Sequence, residues 1–417
     1  MSTSPRPPLM TLDTALTQLL AAVAPLTDTE QVATLDADGR VLAQDVVSAL
    51  HVPPQDNSSM DGYALRTSDI HVPGVVLPVS QRIAAGSAGT MLSHGTVARI
   101  FTGAPIPEGA DAVVMQEDCT AVDTGTPALP QVQVNVMPAS GQWIRRAGED
   151  VSLGAVVLTR GQRLGPAELG LAASIGLAQL PVVRRPRVAL FSTGDELVMP
   201  GQKAPQDMPP GAIYNSNRFF LATLLKRMGC EVTDLGIVPD QRDATIEALR
   251  SAALAHDVIL TSGGVSVGEE DHIKPAVQSL GTLDLWQIAI KPGKPFAHGR
   301  IGNAHFLGLP GNPVSSFVTF LLLVRHFLLQ MQGLHASKIA MKTVAARADY
   351  TWARADKRRE FLRVRRNAEG GLDLFPNQSS GVLTSVVWGD GLVDNPSGCT
   401  VAPGDMVQYI SFAELLA

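Results

Sequence analysis

Cysteine is scarce. The 417 residues hold three, Cys119, Cys230 and Cys399, far apart and odd in number, which argues against a disulfide framework and a soft-metal cage and fits a reducing compartment. The nine histidines show no paired metal spacing, so a zinc or iron–sulfur centre is not expected. Charge is sparse as well, 17% of residues, with a net charge of −6 and a pI near 5.9. Bulk attraction to nucleic acid or to an anionic membrane is not expected, and any anionic ligand must be bound locally. A long uninterrupted apolar run is also missing: Phe317–Met331 contains Arg325 and His326 and falls short of the roughly 20 residues of a membrane span. Near the N-terminus, Leu16–Leu26 is preceded by Asp13 and only one arginine, Arg6, unlike a signal peptide. An amphipathic helix with Leu12, Leu16, Leu19 and Val23 on one face fits better. The expectation is a cytoplasmic protein with neither a membrane nor a nucleic-acid partner.

Glycine and proline are plentiful, 38 and 29 residues, and their spread along the whole chain predicts many tight turns. The length suggests about two to four domains. A helix at 11–24 and an extended entry through Val52-Pro53-Pro54 lead into short β-rich segments near 74–83, 96–102, 112–116 and 131–136, which predict an all-β insertion. A hairpin at 155–164 and a helix at 166–175 follow, the helix opening with Pro166. From Arg187 strands and helices alternate up to a long helix at 314–331, the pattern of a doubly wound, mostly parallel sheet. After about Lys342 the chain is β-rich again and reads as a small barrel or sandwich. The fold expected is multidomain α/β plus all-β: a discontinuous N-terminal domain (1–48 with 147–180), a β insertion (49–146), an α/β domain (181–333) and a C-terminal β domain (334–417). In the basic stretch 354–366, Leu362 and Val364 alternate with Arg363 and Arg365, which predicts a half-buried strand with a solvated arginine face.

Three turns of the α/β region carry the chemistry. Thr261-Ser262-Gly263-Gly264 ends a strand, so its N–H groups can point at an anion. Beyond Ser266, the acids Glu269, Glu270 and Asp271 would repel a bare phosphate unless Mg²⁺ lay between; a solvated helix start is the plainer alternative. Thr193-Gly194-Asp195-Glu196 and Pro239-Asp240 end two further strands. Acidic strand ends at Glu196, Asp240 and Asp271 together favour a Mg²⁺ or general-base site. In Lys291-Pro292-Gly293-Lys294-Pro295 the prolines hold two ammonium groups near the sheet edge, suited to a phosphate or to an oxyanion such as molybdate or sulfate; a basic surface loop is the alternative. In Pro310-Gly311-Asn312-Pro313-Val314-Ser315, Asn312 can cap and Pro313 can open the long helix, leaving Ser315 and free N–H groups for an anion. Around Asp61 and Thr102, the residues offer only turn chemistry.

Taken in order, Met60-Asp61-Gly62-Tyr63-Ala64, Phe101-Thr102-Gly103-Ala104, Ser192-Thr193-Gly194-Asp195-Glu196-Leu197, Ser262-Gly263-Gly264-Val265-Ser266-Val267-Gly268, Lys291-Pro292-Gly293-Lys294-Pro295 and Gly308-Leu309-Pro310-Gly311-Asn312-Pro313 strongly resemble the MoeA-type molybdopterin molybdenumtransferases, the molybdenum insertases. The resemblance implies a four-domain, elongated homodimer that takes adenylylated molybdopterin and molybdate as substrates, hydrolyses the adenylyl bond with Mg²⁺, and releases molybdenum cofactor and AMP. It implies as partners a molybdopterin adenylyltransferase and apo-molybdoenzymes. By matching positions, it places Asp61 and Thr102 in the β insertion, and Glu196, Asp240, Asp271, Lys291, Lys294, Pro310 and Pro313 in the pterin-binding domain. Two other functions compete. A molybdopterin adenylyltransferase would use the same sheet but as a single domain and with ATP; a non-catalytic cofactor carrier would keep the pocket without needing the acidic strand ends.

Overall fold

A computed structural model describes residues 9–123, 130–264 and 272–416. The N-terminal helix Leu12–Ala21 begins where Thr11 Oγ1 accepts from the Thr14 N–H (3.2 Å), a side-chain N-cap. Its apolar stripe, Leu12, Ala15 and Leu19, is buried in the largest core of the molecule, against the helix Arg325–Met331. The chain then folds back on itself in a way sequence distance hides. Thr29–Ala33 pairs antiparallel with Gln179–Val183, and Val46–Val47 with Val156–Leu158, so the segments on either side of the β-rich stretch share one core of Leu42, Leu158, Leu164, Leu180 and Val182. The expected hairpin at 155–164 is therefore not self-paired. Its turn forms, with Gln162 N–H donating to Thr159 O, but its arms bond residues 42–48 instead, as in Leu42 N–H to Gln162 O (3.0 Å) and Ser48 N–H to Ala155 O (2.9 Å). Burying apolar side chains against the N-terminal segment outweighs local pairing.

The β-rich stretch forms a six-stranded sheet in the order 112–115, 62–65, 97–100, 75–83, 131–134, 119–122. Gly62 is required by packing: a Cβ there would land on Val114 O of the neighbouring strand.

The α/β region is a second six-stranded sheet, ordered Glu231–Val238, Arg187–Thr193, Val258–Ser262, Ala304–Leu309, Pro295–Ile301, Thr282–Gln287. The first four strands are mutually parallel; Pro295–Ile301 runs against them, and Thr282–Gln287 pairs antiparallel with it. Alternate residues face opposite ways, and apolar cores cover both sides. Val188 and Leu190 join the core with Leu221, Leu225 and Phe320, whereas Ala189 and Phe191 join one with Leu249, Ile273 and Val277. The helix Pro313–Met331 is long and apolar enough to cross a membrane by length and composition, yet it is 94% buried inside the fold. It contains a π turn at Phe320–Val324.

The C-terminal strands Arg359–Arg366, Gly391–Asn395, Met406–Ser411 and Val344–Arg347 form a third large sheet, whose edge is completed by Ile290–Lys291 from the α/β region. Arg363 corrects the expectation of a solvated arginine face. It is 1% exposed, because the segment through Thr384–Trp388 covers that side of the strand. Its guanidinium donates to Ser385 Oγ (3.2 Å) and to the Phe361 and Ser379 carbonyls, which makes burial of the charge tolerable, and burial pulls its pKa down to about 10.

Candidate functional site

The four parallel strands all deliver their carboxyl ends to one edge, the usual ligand position in open α/β sheets. A cavity of about 380 Å³ opens there, lined by Thr193, Glu196, Ser262, Gly263, Gly311, Asn312 and Pro313. Parallel pairing does this: Ser192 sits beside Ser262, and Ser262 beside Leu309, so the turns that follow each strand are brought side by side. Gly263 (φ +92°) and Gly264 (φ +68°) both occupy the left-handed region that glycine adopts without steric cost. Gly194 belongs to the turn closed by Leu197 N–H to Gly194 O (3.1 Å).

Two details differ from expectation. Asn312 stands at the N-cap with Pro313 at the first helical position, but its side chain makes no capping bond. The donor next in line, Val314 N–H, is satisfied by Ser380 O of the C-terminal region (2.9 Å), which removes the need for a side-chain cap. Gly263 N–H is likewise not free for an anion, since it extends the ladder to Leu309 O (3.0 Å).

Sequence reasoning missed Tyr214, Asn215, Asn217 and Gly381, which line the same cavity. Asn217 Nδ2 donates to Gly311 O (2.7 Å) and so fixes the loop before the long helix. Asn215 is 2% exposed, accepts from Arg218 N–H (3.2 Å), and keeps a buried Nδ2 with no protein partner, a donor left for a ligand. The signal was an Asn-Ser-Asn run just before a helix, which reads as capping chemistry until the sheet edge is assembled. Gly381 comes from the C-terminal region, held by Gln378 and Ser379 on Arg363.

The other anticipated residues lie apart from this lining. Lys291 Nζ pairs with Glu360 Oε1 (3.0 Å) and Asp356 Oδ2 (3.2 Å) of the C-terminal region, and the Lys291–Pro292 bond is cis. Lys294 is half-buried, its carbonyl accepting from Ile288 N–H (2.8 Å). Pro310 and Ser315 are buried beneath the loop. Asp240 follows the edge strand and does not line the cavity. Asp61 and Thr102 meet each other in the β-rich sheet: Thr102 donates to Asp61 Oδ1 from both its amide and its hydroxyl (2.8 Å each). Those bonds, the amide's first, hold the Asp61 carboxyl below its ordinary pKa. Ser266 and Asp271 lie outside the described residues.

For a divalent cation, the described lining supplies one carboxylate, Glu196, and among the described residues no three or more His, Cys, Asp or Glu gather as a metal cage. That donor set suits Mg²⁺, which is commonly bound through one or two carboxylates plus substrate phosphates.

Known proteins place this architecture. Residues 10–176 match the MoeA N-terminal region (domains I and II), residues 189–330 a probable molybdopterin binding domain, and residues 345–412 the MoeA C-terminal region (domain IV). The chain is 42% identical over 325 residues to the molybdopterin molybdenumtransferase of Haemophilus influenzae, covering 78% of each protein. It is 36% identical over 404 residues to molybdopterin molybdenumtransferase 2 of Mycobacterium tuberculosis, covering 94% of this chain and 96% of that one. The chain belongs to the MoeA family. Its fold agrees with the molybdopterin biosynthesis MoeA protein of Pyrococcus horikoshii at a TM-score of 0.83 and 28% identity, covering 97% of this chain and all of that one. As a MoeA-family protein it is a transferase of molybdenum cofactor biosynthesis, in a multidomain, mixed-sheet architecture.

Proposed function

We propose that this chain inserts molybdate into adenylylated molybdopterin, with hydrolysis of the adenylyl group and release of AMP. The observation that carries the reading is the cavity at the carboxyl ends of the parallel strands, where Glu196 and the Ser262-Gly263 and Gly311-Asn312-Pro313 turns converge in a chain of this family. Thr193 and Ser262, which line the cavity, bind the pterin and its phosphates together with Gly194, Gly264 and Ser266, which follow them in sequence. Lys291 and Lys294 attract molybdate and the anionic end of the substrate. In the hydrolysis, water forms a bond to the adenylyl phosphorus while the phosphoanhydride P–O bond breaks, its electron pair leaving on the phosphate oxygen of the pterin, and a carboxylate at the strand ends takes the water proton as AMP forms. Mg²⁺, held by Glu196 with Asp240 and Asp271, would neutralise charge on the phosphates.

The finer architecture belongs with this proposal: a doubly wound pterin-binding sheet (181–333), a discontinuous N-terminal domain (1–48 with 147–180), a β insertion (49–146) and a barrel-like C-terminal domain (334–417). So do a cytoplasmic homodimer in which Asp61 and Thr102 of one chain complete the site of the other, and partnership with an adenylyltransferase and apo-molybdoenzymes. The test is AMP release from adenylylated molybdopterin, expected to need Mg²⁺ and to rise with molybdate. Release that is insensitive to EDTA, or consumption of ATP instead, overturns the assignment.

A further inference from the structure

A second cavity, of about 430 Å³, lies away from the pterin site. One wall is the Thr159–Arg163 turn and Glu168 of the N-terminal region; the other is Arg325 and Leu329 of the long helix with the segment Leu334–Lys338 that leads to the C-terminal sheet. Among the described residues its lining is cationic, with Arg163, Arg325 and Lys338 against the carboxylate of Glu168. That carboxylate already accepts from Gly165 N–H (3.0 Å) and Gln162 Nε2 (3.2 Å).

Arg325 is the buried cation of this lining. It is 8% exposed, and its described bonds run from Nε to Leu415 O (3.0 Å) and from Nη1 to Ile339 O (3.1 Å). Carbonyls satisfy N–H groups without cancelling the charge, so a buried cation remains at the cavity wall. Glu414, the acid that acts on it, is paired with Lys342 (3.3 Å). Burial and the neighbouring Arg163 guanidinium both hold the Arg325 pKa below its ordinary value, the mark of a site where an incoming anion relieves repulsion. The volume exceeds what a bare oxyanion needs and falls in the range of small-molecule sites, roughly 300–1,000 Å³. Leu329 and Leu334 give it an apolar side for a carbon skeleton.

We propose that this cleft binds a phosphomonoester, the phosphate on Arg325, Arg163 and Lys338 and the carbon skeleton on Leu329 and Leu334. Because its walls come from the N-terminal region, the long helix and the segment entering the C-terminal sheet, occupancy fastens these parts together. The inference does not depend on the reading of the pterin site.

The test is calorimetric titration of the full chain with ribose 5-phosphate at constant ionic strength. Saturable binding of one molecule per chain is expected, persisting in Lys294→Ala, which removes a lysine that the proposed molybdate insertion uses. Lys338→Glu and Ser337→Asp, both at exposed positions of the rim, should each weaken it about tenfold, since each places a negative charge within a few ångströms of the ligand, without lowering the unliganded thermal midpoint. No saturable binding, or binding abolished in Lys294→Ala and unchanged in both rim variants, overturns the proposal. Inorganic phosphate binding as tightly as ribose 5-phosphate would overturn the phosphomonoester assignment, because the carbon skeleton would then contribute nothing.

Discussion

Replacing Glu360 by glutamine should weaken the join between the α/β and C-terminal regions. The Glu360 side chain is 1% exposed and accepts three donors: Lys291 Nζ (3.0 Å), Trp352 Nε1 (2.7 Å) and Asn395 Nδ2 (3.4 Å). Glutamine keeps the shape but not the charge. If its carbonyl stays with Trp352, its amide must face the Lys291 ammonium, donor against donor. Stripping the partner from a fully buried ion costs about 3–5 kcal/mol. Here that limit is not reached, because Lys291 keeps Asp356 at 3.2 Å and its side chain is 38% exposed. Loss of one charge-assisted hydrogen bond is the better measure and sets the cost at about 2 kcal/mol. Urea unfolding followed by tryptophan fluorescence should show this as a lower midpoint at an unchanged slope. A double-mutant cycle with Lys291→Met should return a coupling of at least about 1 kcal/mol. A stability change below about 0.5 kcal/mol, or additive effects in the cycle, would refute the reasoning. In the proposed reaction, the same variant should raise KM for adenylylated molybdopterin, because the ammonium of Lys291 loses the carboxylate that fixes its position.

Gly264→Ala should cost about 2 kcal/mol in thermal or urea unfolding, since φ +68° is a left-handed conformation and the new Cβ would stand 2.8 Å from Ile273 Cγ1; wild-type stability would show that the turn relaxes freely. Stability should also fall as pH drops below about 6.5, because burial lowers the pKa of His305 to about 3 and of His326 to about 4. In the window between those values and 6.5 the unfolded chain binds protons that the folded one excludes, a slope of about 1.4 kcal/mol per pH unit for each histidine. His326→Phe should reduce the slope by one histidine's share, leaving that of His305, and an unchanged slope would remove His326 from the account. Mixing inactive Asp61→Asn with inactive Lys294→Ala under subunit exchange should restore about a quarter of wild-type AMP release if sites form between chains; with exchange confirmed, no recovery would place each site within one chain.

What the sequence made legible follows from periodicity and turn chemistry. The alternation from Arg187 marked the parallel strands at 187–193, 231–238, 258–262 and 304–309 and the helices between them, because parallel strands buried on both faces read as continuous apolar runs, but it passed over the helix Ile273–Leu280 and the antiparallel strand Pro295–Ile301. The glycines of Ser262-Gly263-Gly264 and Gly311 marked where backbone approaches the cavity. The expectation of a discontinuous N-terminal domain grouped residues 1–48 with 147–180, but the strand pairings between these distant segments were not legible. Nothing in Ala155–Leu164 alone says that its arms bond residues 42–48, since the alternative, self-pairing, has the same local pattern. Arg363 was misplaced for a related reason: alternation reports which residues could face solvent, and the cover supplied by Thr384–Trp388 lies more than twenty residues away in sequence.

The Lys-Pro-Gly-Lys-Pro turn shows why this gap matters for chemistry. On residue type alone its two lysines were equivalent ammonium groups at the sheet edge. In the fold they are not, because Ile290-Lys291 adds a parallel strand to the C-terminal sheet opposite Arg359-Glu360, and that register alone brings Lys291 to a buried carboxylate. Lys294, three residues on, lies beyond that pairing. The C-terminal region thus reaches the neighbourhood of the cavity in three places: Glu360 on Lys291, Ser380 O on the first available donor of the long helix, and Gly381 in the lining. A charge that is held by another domain is positioned only as well as that domain is docked. Substitutions that loosen the C-terminal sheet far from the cavity should therefore lower turnover through Lys291, whereas the Lys294 side of the turn should tolerate them.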